Sequence, residues 1–321
     1  MLLNRCSLRG AARITQGRRW LATAMVLGLA ASFGQRIHAQ DLATYANDCK
    51  KAIGVAVPAF DCSKGIEVPV TNLKDGKCDR PDRMRHQCDK GNRFQVLART
   101  PYIVALCRTG GQTSGYDDIA VIQYNPANGA TCFYQKIGSY LSGAVAAPSD
   151  GKDADNAFDP PDRGRGCVDC HDNGPFIRSP FLTQISDAKH KLPNLKNKSD
   201  EPYAFVGAEF AKWKAYSVEV KNNKCIGCHR LGVAKRDTTV PSDEFGTARH
   251  FSVQATAESE KSKNPTSSAS PLWMPTDGVT FDHKNAAAAL AIKNCAEHIK
   301  DKQMPDTDKC RIKLFAKAYQ D

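Results

Sequence analysis

Two short stretches of this chain carry residues that can hold a redox cofactor. Cys167-Val168-Asp169-Cys170-His171 and Cys225-Ile226-Gly227-Cys228-His229 repeat one pattern, Cys-x-x-Cys-His. Two cysteines with two residues between them can each form a thioether with one of the two vinyl groups of a porphyrin. The histidine that follows then reaches the iron from one face, which is the attachment pattern of a c-type haem. Two copies predict two covalently bound haem c groups. Paired cysteines also serve two other chemistries. A dithiol site needs no histidine beside its second cysteine. An all-cysteine zinc site usually spaces its pairs by roughly 15–20 residues, whereas 54 residues lie between Cys170 and Cys225.

Each iron has a second axial position. Methionine there raises the potential, histidine lowers it, and an empty position admits a small molecule. No methionine lies between Met84 and Met274, so the segment between the motifs offers His190 as its one conventional ligand, 19 residues past His171. The competing reading of His190 is a surface side chain, since Lys189 and Lys191 flank it. His250 is the next candidate, followed by His283 and His298. After the second motif come two methionines, each before a proline: Met274-Pro275 and Met304-Pro305. Trp273 and Met274 also suit plain core packing.

The first 39 residues lead to the expectation of an exported chain. Residues 1–39 hold six arginines, no acidic residue, an apolar stretch over 20–33 and a cleavable-looking Ala39, the layout of a secretory signal peptide. No later run is long enough to span a membrane, so the mature chain is expected to carry no transmembrane segment and to be periplasmic. Of the 13 cysteines, one lies in the signal and four in the motifs. The remaining eight suit disulfides in an oxidising compartment. Eight cysteines allow 105 connectivities. Closing nearest pairs in order gives Cys49–Cys62, Cys78–Cys88, Cys107–Cys132 and Cys295–Cys310, each worth roughly 3 kcal/mol in the chain-entropy model. The net charge of +11 falls to about +5 without the signal and to about +1 with four ionised propionates. This gives no argument for nucleic-acid binding.

Composition divides the mature chain. Residues 40–141 read as a small disulfide-rich domain with an antiparallel β-sheet, with strand signals at 93–99, 102–108, 118–124 and 131–137 and a turn at Asn125-Pro126-Ala127-Asn128-Gly129. His86 and Met84 there read as surface residues. Residues 142–159 read as a linker, and 254–271 as a flexible insertion. Residues 160–321 read as a mainly α-helical dihaem domain with helices over 203–221 and 282–302. The expected fold class is therefore α+β. Asp169, Asp172 and Glu209 read as surface charges or helix caps.

The two motifs and the Met-Pro pairs make residues 160–321 resemble the dihaem c-type cytochromes of bacterial periplasms. The resemblance implies Cys167, Cys170, Cys225 and Cys228 as thioether sites and His171 and His229 as proximal ligands. It also favours Met274, since in small class I cytochromes c the distal methionine precedes a C-terminal helix. The motifs are only 58 residues apart, too close for two tandem class I units, so a shared fold around both haems is expected. The function this implies is single-electron transfer between periplasmic or membrane-bound redox partners, a carrier rather than an enzyme. The alternative is a dihaem peroxidase-like enzyme with one open iron, although no acid–base pair stands out. A third reading, compatible with the first, makes residues 41–141 a docking module. Replacing Met274 by Ala is expected to change the optical spectrum and potential of one haem, and Met304→Ala to leave both unchanged; the reverse pattern would assign Met304.

Overall fold

The computed structural model describes residues 41–76, 78–82, 88–151, 158–159, 167, 171–177, 179–192, 202–210, 213–223, 231–235, 244–245, 283–297 and 309–320. Residues 38–321 form one compact unit. The signal-like segment 1–39, Met84, His86, the middle of the 142–159 stretch and the 254–271 insertion lie outside the described residues.

The first element is a helix, α1 (Leu42–Ile53), which the sequence reading did not anticipate. The Asp41 side chain accepts the Thr44 N–H at 2.9 Å, satisfying one of the amides a helix start leaves unpaired. Leu42, Tyr45, Ala46, Cys49, Ala52 and Ile53 are buried at spacings of three and four, one stripe along the helix. Gly54, at φ +94°, ends it and donates its N–H to the Lys50 carbonyl at 2.8 Å. Three amide side chains satisfy carbonyls at and just past this end. Asn128 donates to Ala52 O at 2.8 Å, Asn125 to Ile53 O at 3.0 Å and Gln123 to Val55 O at 2.9 Å.

The strands are β1 (Phe60–Asp61), β2 (Ile66–Glu67), β3 (Arg93–Arg99), β4 (Tyr102–Arg108), β5 (Tyr116–Tyr124), β6 (Ala130–Leu141), β7 (Ala144–Val145), β8 (Ala204–Phe205), β9 (Lys214–Val220), β10 (Gly232–Lys235), β11 (Glu244–Phe245) and β12 (Cys310–Ala318). β1 and β7 pair with each other. The other ten form one sheet in the order β11-β10-β9-β12-β8-β6-β5-β4-β3-β2. All pairings are antiparallel except those of the two-residue β8, which lies parallel to both β6 and β12.

The four strands expected in the first half are present, and the antiparallel hairpins between them hold. The mainly α-helical dihaem cytochrome c-like half is overturned: residues 204–318 contribute five strands to the same sheet. A short helix, α2 (Pro180–Thr183), and a longer one, α3 (His283–Glu297), are the α-helices described there. α3 falls on the expected helix over 282–302. The expected helix over 203–221 is instead β8, a 3-10 turn at Ala208–Phe210, and β9. The apolar positions 205, 208, 210, 213 and 216 imitate a helical period, but Gly207 takes φ +126°, which breaks a helix there. β9 is buried along Ala215–Val218 between β10 and β12, and strands buried on both faces lack the alternation that marks a half-exposed strand.

Ile103, Ala105 and Cys107 of β4, Ile119 and Val121 of β5, and Cys132 and Tyr134 of β6 pack with α1. Val104 and Leu106 of β4 point the other way, with Phe94 and Val68, and are covered by Phe181, Ile185 and Leu192. At the far end of the sheet, Ile292, Cys295 and Ala296 of α3 pack on Tyr216, Val218 and Ile312.

Four disulfides are formed among the described residues: Cys49–Cys132, Cys62–Cys107, Cys78–Cys88 and Cys295–Cys310. The last two match nearest-neighbour closure. Cys49–Cys62 and Cys107–Cys132 are corrected, because α1 lays Cys49 on β6 while the segment after it brings Cys62 to β4. The Cys49–Cys132 bridge spans 83 residues, so removing it as a Cys49→Ser, Cys132→Ser pair is expected to lower unfolding stability by about 4.5 kcal/mol, read from denaturant unfolding.

Candidate functional site

His171 of the first motif comes to rest on the sheet face opposite α1. The His171 N–H donates to the Cys167 carbonyl at 2.8 Å, closing one helical turn. Cys167 is half-buried against the main core. The His171 ring lies on Phe133, with centroids 5.5 Å apart. Phe133 follows Cys132 in β6 and so points to the face away from α1. An aromatic cluster continues from it: Phe133 to Phe210 at 6.5 Å, Phe210 to Trp213 at 4.8 Å and Phe210 to Phe205 at 5.9 Å. The Tyr203 hydroxyl donates to the His171 carbonyl at 2.6 Å.

This setting keeps the imidazole neutral. Burial pushes its pKa down to about 4; backbone hydrogen bonding at Pro175 and Gly174 opposes the shift, and the Arg108 guanidinium reinforces it. The Nδ1 atom is buried with no hydrogen bond of ordinary geometry. A histidine must be neutral to bind a metal. A neutral His171, packed on Phe133, has the protonation state that a metal ligand needs.

A buried charge cluster stands on the same face. Arg108 ends β4 and meets Asp118 of β5 across the register, while Gln135 sits two residues past Phe133 on β6. Arg108 Nη1 donates to Asp118 Oδ2 at 2.8 Å, its Nε donates to Asp82, and Gln135 donates to Asp118 Oδ1 at 3.0 Å. Asp118 is fully buried and Asp82 nearly so. Burial works against the guanidinium charge, but the two carboxylates more than offset it and raise its pKa above the ordinary value.

His190 lies at the end of a turn over 187–190. Its N–H donates to Asp187 O at 3.2 Å and its Nδ1 lies 3.4 Å from Asp187 Oδ1. Arg99 holds this turn by donating to the carbonyls of Ala188 and Lys189 at 2.7 and 2.8 Å. Among the described residues, no hydrogen bond, ion pair or ring contact joins His190 to His171. Cys170, Cys225, Cys228, His229, Met274 and Met304 lie outside the described residues. Among those described, no group of three or more His, Cys, Asp and Glu side chains is placed to hold a metal ion.

Sequence reading missed the partners of the motif. Arg108 and Asp118 look like ordinary strand ends, and nothing local marks Phe133 or Tyr203. Asp172, expected to be a surface charge or a helix cap, is fully buried.

No family model matches the chain, and no curated protein or solved structure is detectably similar to it.

Removing one partner of a buried ion cluster leaves a charge uncompensated, at a cost of about 3–5 kcal/mol. Asp118→Asn is expected to lower stability by that order in denaturant unfolding, and by more than removal of the exposed Glu67 facing Arg93.

Proposed function

We propose that this chain is an exported dihaem c-type cytochrome that passes single electrons between redox partners in or facing the periplasm. The observation that carries the reading is His171: a neutral imidazole, one helical turn from Cys167, packed on Phe133 within an aromatic cluster. The haem iron, when bound, supplies one-electron redox chemistry, tuned by its axial ligands and by burial.

The chain's own residues have separable tasks. Cys167 and Cys170 tether the first group, and Cys225 and Cys228 the second. His171 and His229 would ligate the two irons. The Tyr203 hydroxyl holds the His171 backbone and Phe133 packs on its ring. Phe205, Phe210 and Trp213 extend the apolar cluster behind Phe133. Met274 and His190 remain the candidate distal ligands.

The compartment accords with this reading. Four disulfides among the described residues suit an oxidising environment. Among the described residues, no helix is long and apolar enough to cross a membrane.

The test is the optical spectrum of the purified protein, oxidised and reduced, with and without carbon monoxide. Low-spin spectra that ignore carbon monoxide are the expected result. A shift with the stoichiometry of one haem would instead mean an accessible iron and the peroxidase-like alternative.

A further inference from the structure

Two described residues occupy the same place relative to the two motifs. Asn173 is the second residue after His171, and Leu231 is the second after His229. They touch: Asn173 Nδ2 donates to the Leu231 carbonyl at 2.9 Å. The contact extends by one step on each chain. Asp172 is fully buried, and its carboxyl lies over Gly232, where a Cβ would come within 2.9 Å of Asp172 Cγ and 3.0 Å of both Asp172 Oδ1 and Tyr216 O. One residue back on the first segment meets one residue forward on the second, so the two run antiparallel where they meet. The Leu231 carbonyl also accepts the Val218 N–H at 3.0 Å. The residues leaving the first motif are thereby fixed to the β9–β10 part of the sheet.

We propose that Asp172, Asn173, Leu231 and Gly232 form a clamp that holds the two haem-attachment segments at a fixed spacing, and that this spacing sets the electronic coupling between the two irons. The proposal rests on the dihaem reading above. Two residues of chain reach at most about 7 Å, so each motif histidine is leashed closely to the clamp. The step it serves is a single-electron exchange, in which one iron is oxidised as the other is reduced and no bond or proton moves. Asp172 and Asn173 are positioning residues, since they act through the segments they hold. Gly232 is required because any side chain there would collide with a buried carboxyl and a backbone carbonyl.

The test uses the full holoprotein and two separate readouts. Intact mass counts the attached haems. Low-temperature electron paramagnetic resonance, comparing the fully oxidised and half-reduced protein, detects the magnetic interaction between two ferric centres. The wild type is expected to carry two haems and to show the interaction. Asn173→Ala and Gly232→Ala are expected to keep both haems and to lose much of it, while Asn173→Gln, which keeps the donor, restores it. Two haems with no interaction in the wild type, or an interaction untouched in both Ala variants, would overturn the clamp and leave the dihaem reading standing. A mass without haem would overturn both. A merely structural role would lower the melting temperature of Asn173→Ala without altering the interaction.

Discussion

The backbone at Pro202 and Tyr203 lies against Gly129 so closely that a Cβ on Gly129 would sit 2.4 Å from the Pro202 carbonyl carbon. Gly129 also holds φ +79°, a conformation that side-chain-bearing residues adopt at a cost. This approach lets Ala204 donate to Gly129 O at 2.9 Å and Val206 to Thr131 O at 3.0 Å, while Tyr124 donates to Pro202 O at 3.0 Å. β8 is only two residues long, yet it joins β6 on one side to β12 on the other. The same joint delivers Tyr203 to the His171 carbonyl and Phe205 to the aromatic cluster. The hairpin turn, the centre of the sheet and the candidate iron ligand therefore share one close backbone contact.

Charge is distributed with the same economy. The face that receives His171 also carries a guanidinium and two carboxylates in mutual contact, with one carboxylate further satisfied by an amide. A lone buried charge beside a metal ligand would bias its protonation and its redox balance strongly, because the low-dielectric interior screens little. Here each formal charge has an opposite one in contact, and the imidazole stays neutral through burial above all.

What was legible in the sequence was local. The strands at 93–99 and 102–108 announce themselves by β-branched and aromatic residues between turn signals, and the Asn125–Gly129 turn by its composition. Cys78–Cys88 and Cys295–Cys310 close short loops and follow from proximity in the chain. The joining of the two halves was not legible, because it depends on β8 slipping between strands far apart in sequence. Residues 203–221 carried a helical spacing of aromatic groups that tertiary pairing overrode. The partners of Arg108, and the burial of Asp172, arise from contacts that no local pattern records.

The first three disulfides are concentric: Cys78–Cys88 lies within Cys62–Cys107, which lies within Cys49–Cys132. A chain that meets an oxidant as it emerges, amino end first, offers Cys62 to Cys49 long before Cys132 arrives. The first bond available is then a wrong one. Thiol–disulfide exchange must undo it, or Cys49 must stay reduced until the outermost strand is out. Correct pairing of the three nested bridges thus depends either on such exchange or on the timing of oxidation, and not on proximity along the chain.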